Sequence, residues 1–160
     1  MDFLSLLKVL TNAEVEFIVI GGVAAILHGS ARLTQDIDVV YRRSNENLDR
    51  IVSALSPYHP YLRGAPPGLP FRWDARILKA GLNFTLTTDL GPIDLLGHVA
   101  GGPAFENLLP DTVVMDMNEF SCRCLELQRL ILTKKAAGRP KDLEPIAELE
   151  ALLEERESGT

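Results

Sequence analysis

Two aspartates in one apolar segment are the residues whose spacing points most directly to chemistry. Asp36 and Asp38 stand in "DIDVVY", separated by one isoleucine. In a strand they would point to the same side of a sheet, about 7 Å apart at their α-carbons, and would repel each other. A divalent cation removes this repulsion, and Mg²⁺ takes oxygen ligands. The alternative is a solvated strand edge on which both acids face water.

A third aspartate, Asp94, stands in the apolar segment "GPIDLLG". A carboxylate buried there without a partner would be costly. If its strand pairs with the strand of Asp36 and Asp38, three carboxylates converge. Two of them can hold a metal ion, and the third can bind a second ion or act as a base toward an attacking hydroxyl group. The three aspartates are therefore the candidate catalytic and metal-binding residues.

A glycine pair, Gly21 and Gly22, follows the strand-like segment "VEFIVI". The pair is expected to end this strand, and "VAAILHG" after it predicts a short helix ending at Gly29. Free backbone amides at a helix start favour anions, and glycine lets a phosphate approach the backbone. The pair is a candidate phosphate-binding turn, while an ordinary strand-to-helix turn explains it equally well in isolation.

The order of these residues resembles the nucleotidyltransferase superfamily typified by DNA polymerase β. The resemblance rests on Ile20-Gly21-Gly22, thirteen further residues, Asp36-Ile37-Asp38-Val39, and later Ile93-Asp94-Leu95. Together, "GGVAAILHGSARLTQDIDVV" and "KKAAGRPKDLEPIAELE" are most similar to small bacterial nucleotidyltransferases related to AbiEii-type toxins. The similarity extends over nearly the whole chain. It departs from the wider superfamily at Gly22, where serine is frequent and offers a hydroxyl group to the phosphate.

The resemblance implies an Mg²⁺-dependent transfer of NMP from an NTP, such as ATP or GTP, to an acceptor hydroxyl group. Two Mg²⁺ ions, or Mn²⁺ in their place, would be held by Asp36, Asp38 and Asp94. The triphosphate would rest on Gly21 and Gly22, the acceptor would attack the α-phosphorus, and pyrophosphate would leave. The expected acceptor is an RNA end, a protein hydroxyl group or a small molecule. A toxin–antitoxin role would add a cognate antitoxin as partner.

Two further segments carry candidate nucleotide-binding residues. Arg32 and Thr34 lie between the glycines and the aspartates, where they can contact phosphate or ribose, or else belong to a solvated loop. The resemblance implies that Lys134 approaches the triphosphate and that Asp142, in the next helix, comes near the site. Both also fit a simpler role, because they complement the dipoles of their helices. Further candidates for the rim of the site are Arg139, Lys141 and His98.

The elements around these residues alternate between helices and strands. The pattern predicts helices over 2–12, 23–29, 45–55, 102–109 and 125–138 and from Pro140 to about 155, and strands over 15–20, 36–41, 82–88, 92–96, 112–117 and 120–125. The segment 56–70 has five prolines and two glycines and predicts a loop. The expected fold is α/β (α+β): a small mixed sheet flanked by helices, with a C-terminal helical pair.

Length and charge narrow the class of protein further. The 160 residues fit a single domain, with a catalytic sheet core over about 13–118 and C-terminal helices over about 125–156. The net charge of -6 argues against a broad basic face on a nucleic acid duplex, though a small basic pocket remains compatible with it. No segment has the roughly 20 apolar residues of a membrane span, and a cytoplasmic protein is expected. Cys122 and Cys124 are expected to be buried core thiols rather than metal ligands.

Two other interpretations stand beside the enzyme. One is a non-catalytic module of the same fold, either a nucleotide sensor or an antitoxin-like partner. Such a module is expected to have lost at least one of the three aspartates, and this chain retains all of them. The other is a structural domain with surface acids, which requires three aspartates with apolar neighbours to occur without any ligand.

Overall fold

The structure, a computed structural model, describes residues 2–100 and 102–159. Its helices are α1 (Phe3–Asn12), α2 (Gly21–Leu27), α3 (Asn45–Leu55), α4 (Ala75–Ala80), α5 (Phe105–Leu108), α6 (Leu127–Ala137) and α7 (Leu143–Ser158). Its strands are β1 (Phe17–Ile20), β2 (Ile37–Tyr41), β3 (Tyr61–Leu62), β4 (Phe84–Thr88), β5 (Gly91–Leu96), β6 (Thr112–Asp116) and β7 (Ser121–Leu125). Within these ranges, no helix is long and apolar enough to cross a membrane.

The strands form one mixed sheet in the order β3-β4-β5-β2-β1-β7-β6. Strand β2 runs parallel to β5, and β1 runs parallel to β7, whereas the predicted hairpins β4–β5 and β6–β7 are antiparallel. In the β2–β5 pair, Asp38 lies directly opposite Asp94. The predicted fold class is confirmed, and so is the expectation that the strand of Asp94 lies beside that of Asp38.

Helices cover both faces of the sheet at its centre. All four residues of β1 are buried, and successive side chains of a strand point to opposite faces. Helix α3 contacts α1 and α4, and helix α6 contacts α2 and α7. Cys122 and Cys124 are free and buried, as predicted, and burial raises their pKa values to about 11 and about 12 respectively.

Several predicted boundaries are wrong for identifiable reasons. The glycine pair does not precede α2 but forms its first turn, which begins at Gly21. The segment 56–70 is not wholly loop, because β3 pairs with the exposed edge of β4. Pro140 opens a 3₁₀ turn over Pro140–Asp142, and α7 begins only at Leu143. Leu143, the first residue of α7, is 69% exposed.

The segment "FRWDARILKAG" contains α4 and its N-cap residue, Asp74. The Asp74 side chain accepts a hydrogen bond from Ile77 N at 3.0 Å, which satisfies a free amide at the helix start. Trp73 Nε1 donates to Val52 O at 3.1 Å. This contact ties the segment to α3, so Trp73 has a structural role here.

Candidate active site

The three predicted aspartates meet on one face of the sheet. Asp38 lies in β2 and Asp94 in β5. Asp36, predicted as the first residue of that strand, immediately precedes β2. One carboxylate oxygen from each residue lies within 4.8 Å of the other two. Among the described residues, this is the only cluster of three acidic, histidine or cysteine side chains with a geometry able to hold a metal ion. We call it the aspartate triad.

The surroundings of Asp38 disfavour the charged form of its carboxyl group. Burial, and then the charges of Asp36 and Asp94, raise its pKa to about 7. Its Oδ1 atom is buried and has no hydrogen-bond partner among the described residues. An unsatisfied buried acceptor costs about 1–3 kcal/mol, and more when it is charged. Three converging carboxylates with such an atom fit a hard divalent cation, because oxygen ligands are the ones that Mg²⁺ prefers.

Arg63 is a site residue that sequence reasoning missed. Its Nη2 atom lies 2.9 Å from Asp94 Oδ1, and its Nη1 atom lies 3.5 Å from Asp36 Oδ2. Nη2 also donates to Leu86 O at 2.6 Å, which holds the guanidinium beside the sheet. The prolines and glycines around Arg63 predict a loop, and the two-residue strand that places it is too short to produce a pattern.

The glycine pair is needed for packing against the site. Gly21 has a φ of +68°, and a β-carbon there would overlap Asp38 Oδ2. A β-carbon at Gly22 would lie 2.7 Å from Thr34 Oγ1. These contacts explain the departure from serine at position 22, because any side chain there would displace Thr34. They also bring the start of α2 against the aspartate triad.

Helix α7 holds the loop between α2 and β2 in place. Glu148 accepts hydrogen bonds from Ser30 Oγ at 2.6 Å and Ala31 N at 3.1 Å, which lower its pKa. Arg32 is paired with Glu144 at 3.3 Å and lies 3.6 Å from Glu148. The Arg32 guanidinium is thus engaged with two acids in this structure, which the sequence did not predict.

All eight predicted site residues line one cavity of about 720 Å³, which we call the loop cavity. They are Gly21, Gly22, Arg32, Thr34, Asp36, Asp38, Asp94 and Lys134. Arg139 and Lys141 line it as well, so cations and carboxylates share the same space. Asp142, which is 4% exposed, fixes Arg139 through contacts of 2.7 and 3.3 Å.

A second cavity of about 410 Å³ adjoins the triad and is called here the β5 cavity. It shares Asp38, Asp94 and Lys134 with the loop cavity, and it contains His98, one of the rim candidates. His28 belongs to neither cavity. It is buried and contacts Leu125 O at 2.8 Å, so its role is in packing.

Comparison by sequence identifies the family of this chain. The family described as nucleotidyltransferase of unknown function (DUF6036) matches residues 3–88. The chain belongs to this family. The matched range includes α2, Asp36 and Asp38, whereas Asp94 and Lys134 lie beyond it. No curated protein matches the chain by sequence.

Solved structures agree with this fold. TM1012 from Thermotoga maritima, assigned as a nucleotidyltransferase, is 16% identical with a TM-score of 0.57, covering 91% of each chain. The lincosamide antibiotic adenylyltransferase LnuA, solved with lincomycin bound, is 15% identical with a TM-score of 0.62, covering 94% of this chain and 96% of its own. At these identities the likeness establishes the fold, and neither comparison identifies an AbiEii-type relative.

Proposed function

We propose that the chain is an Mg²⁺-dependent nucleotidyltransferase, which transfers NMP from an NTP to an acceptor hydroxyl group and releases pyrophosphate. The observation that carries the proposal is the aspartate triad, with its unpartnered Asp38 oxygen, in one cavity with four cationic side chains. Membership of a nucleotidyltransferase family supports the same reaction.

Each site residue has a proposed role. Asp36, Asp38 and Asp94 hold Mg²⁺, with two ions expected and Mn²⁺ as a substitute. Bound metal would neutralise phosphate charge and orient the attacking and leaving oxygens. The ammonium group of Lys134 pairs with the negative charge of the triphosphate. Gly21 and Gly22 allow it to approach the backbone.

Arg32 and Thr34 are proposed to contact the phosphate or ribose from the loop before β2. Arg32 would have to exchange Glu144 for substrate, since it is paired with that acid in the structure. Arg139 and Lys141 add positive charge to the same cavity, with Asp142 holding Arg139 in place.

In the proposed reaction, one bond forms at the α-phosphorus and one bond breaks. The acceptor oxygen bonds to the α-phosphorus, and the bond from that phosphorus to the bridging oxygen breaks. Pyrophosphate leaves with the electrons of that bond. The acceptor proton passes to a carboxylate oxygen of Asp94, which acts as the base.

We further propose that residues 13–118 act as the catalytic sheet core and 125–156 as helices that complete the cavity in a single domain. NTP and Mg²⁺ are abundant in the cytoplasm, which is therefore the proposed compartment. The AbiEii-type resemblance supports a toxin–antitoxin role, with an antitoxin as partner. An antitoxin encoded by a neighbouring reading frame would support that role.

The alternative is a non-catalytic nucleotide-binding or antitoxin-like module. A binding module has no need for a carboxylate cluster that repels itself, and retention of all three aspartates favours catalysis. The alternative predicts NTP binding without pyrophosphate release.

The test is incubation with each of four NTPs, labelled at the α-phosphorus, together with Mg²⁺ and cellular RNA, protein and metabolites. Asp38→Asn removes one charge at nearly constant size, and Asp49→Asn, at an exposed position of α3, is the matched control. Transfer of label by the unsubstituted protein and by Asp49→Asn, but not by Asp38→Asn, supports the proposal. NTP binding without transfer in every fraction would favour the binding module.

A further inference from the structure

The two cavities lie at opposite ends of the aspartate triad. Strands β2 and β5 run parallel, with Asp38 opposite Asp94. Thr34 and Asp36 precede this point and line the loop cavity, whereas Leu96 and His98 follow it and line the β5 cavity. With a rise of about 3.3 Å per residue, Leu96 lies about 7 Å beyond Asp94 on the same face.

This arrangement matches the geometry of phosphoryl transfer. The attacking and leaving oxygens lie roughly in line on opposite sides of the phosphorus. The basic residues Arg32 and Lys141 line the loop cavity and not the β5 cavity. Pyrophosphate, which carries most of the negative charge, therefore belongs in the loop cavity. An acceptor on the opposite side of the phosphorus would approach through the β5 cavity.

The β5 cavity has the chemistry of a small-molecule pocket. Ile20, Leu96, Val99 and Leu130 supply apolar surface. His98 Nδ1 lies 3.2 Å from Val99 O. Because a carbonyl oxygen can only accept, Nδ1 carries the proton, and Nε2 of the neutral ring can accept a hydrogen bond.

Size and charge argue against a polynucleotide acceptor. The cavity volume of about 410 Å³ is within the range of roughly 300–1,000 Å³ found for pockets that bind small molecules. A net charge of -6 is unfavourable for following an RNA backbone. Lys134 and Arg139, the cations of the β5 cavity, also line the loop cavity, where they face the proposed nucleotide.

We infer that the β5 cavity binds the acceptor, and that the acceptor is a compact alcohol with a mainly apolar body. Its reacting hydroxyl group lies at Asp94, and a second donor group bonds to His98 Nε2. This inference rests on the proposed function and adds the substrate class. If this inference is correct, the acceptor is neither a polynucleotide nor a folded protein.

Two substitutions fill the cavity from different walls. Leu96→Trp adds bulk from β5, and Thr133→Trp adds bulk from α6. The matched control is Leu4→Trp, on the outer face of α1, where the leucine is 49% exposed. Thermal melts verify that each variant folds, and two independent variants guard against failure of one to do so.

The experiment separates the acceptor from the nucleotide. Labelled NTP is incubated with a cell extract divided into RNA, protein and small-molecule fractions, and binding of a non-hydrolysable NTP analogue with Mg²⁺ is measured by equilibrium dialysis. We expect label in the small-molecule fraction. Both cavity variants should lose about 100-fold or more of this transfer. Analogue binding should stay unchanged in them, and the Leu4→Trp control should match the unsubstituted protein.

Other outcomes overturn the inference in distinguishable ways. Label in RNA or protein, or full transfer by both cavity variants, would refute the acceptor assignment and leave the proposed function standing. Loss of analogue binding in the cavity variants would place the nucleoside in the β5 cavity. Absence of transfer by the unsubstituted protein in all fractions would refute the proposed function, and the acceptor assignment with it.

Discussion

Two groups of acids face the loop cavity, and they differ in how their charges are balanced. In the C-terminal helices, Asp142 is paired with Arg139 at 2.7 Å, and Glu148 accepts from Ser30 at 2.6 Å. In the aspartate triad, Asp38 has a buried oxygen without a hydrogen-bond partner among the described residues. The helical acids Asp142 and Glu148 are paired within the fold, and Arg63 contacts Asp36 and Asp94, whereas Asp38 keeps an oxygen without such a partner.

The difference indicates which acids serve the fold and which serve a ligand. Paired acids such as Glu148 hold the loop before β2 against α7. Burial and the neighbouring carboxylates raise the pKa of Asp38, so its charged form opposes folding unless a cation is bound. The residue type alone does not show whether an acid pairs within the fold or binds a ligand. The contrast emerges only when the partners of each carboxylate are known.

The largest expected effect separates the two groups by activity. Asp38→Asn should lower the rate of NMP transfer about 1,000-fold or more, because it removes a proposed metal ligand and its charge. Glu148→Gln should lower it about tenfold at most, mainly by raising KM for the NTP, because it loosens one hydrogen-bonded loop. Steady-state kinetics with labelled NTP measures both. Equal losses of transfer rate in the two variants would mean that the triad and the helical acids contribute alike to the reaction.

The second effect concerns stability and pH. The pKa of Asp38 is raised from 3.8 to about 7, so between these values the folded protein binds more protons than the unfolded chain. The free energy of unfolding of the metal-free protein should therefore fall as pH rises from about 4 to about 7, and then level off.

Asp38→Asn should remove this penalty. At pH 8 without metal, the variant should be more stable than the unsubstituted protein by about 2–3 kcal/mol. Urea unfolding in the presence of EDTA measures the difference. If the variant were less stable than the unsubstituted protein at that pH, the claim that the charged Asp38 carboxylate destabilises the metal-free fold would be wrong.

The third effect tests Arg63, which is paired directly with the triad. Arg63→Ala should destabilise the metal-free protein by about 1–2 kcal/mol, since Asp36 and Asp94 lose their partner. Mg²⁺ should then raise the melting temperature more than it does for the unsubstituted protein, because it replaces that lost charge. Arg76→Ala, at an exposed position of α4, is the control. A smaller Mg²⁺ response would mean that Arg63 assists metal binding.

The smallest effect belongs to an exposed ion pair between α6 and α7. Glu150 contacts Lys135 at 2.8 Å, with side chains 48% and 53% exposed. Such pairs contribute about 0–1 kcal/mol. Glu150→Gln should change neither the transfer rate nor the unfolding free energy beyond about 0.5 kcal/mol in chemical denaturation. A large loss would mean that the helical acids also take part in the reaction.

Much of this arrangement follows from the sequence. Alternating apolar residues predict β2 and β5, and Asp38 and Asp94 share a face once those strands pair. Ser44 predicts the start of α3, where its side chain accepts from Asn47 N. These features depend on local periodicity and capping, which the sequence carries directly.

Other features depend on contacts between distant segments. Arg63 reaches the triad only because β3 adds to the edge of β4, which no local pattern predicts. The pairing of Arg32 with α7 requires the packing of helices separated by more than a hundred residues. The clash that excludes a side chain at Gly22 likewise depends on the conformation of Thr34.

The most direct test of the account is a titration of Mn²⁺ at pH 8, followed by electron paramagnetic resonance, with a non-hydrolysable NTP analogue present. The account predicts saturable binding to the unsubstituted protein and to Glu148→Gln, and loss of that binding in Asp38→Asn. Equal Mn²⁺ binding by Asp38→Asn and the unsubstituted protein would contradict the claim that the aspartate triad is the metal site.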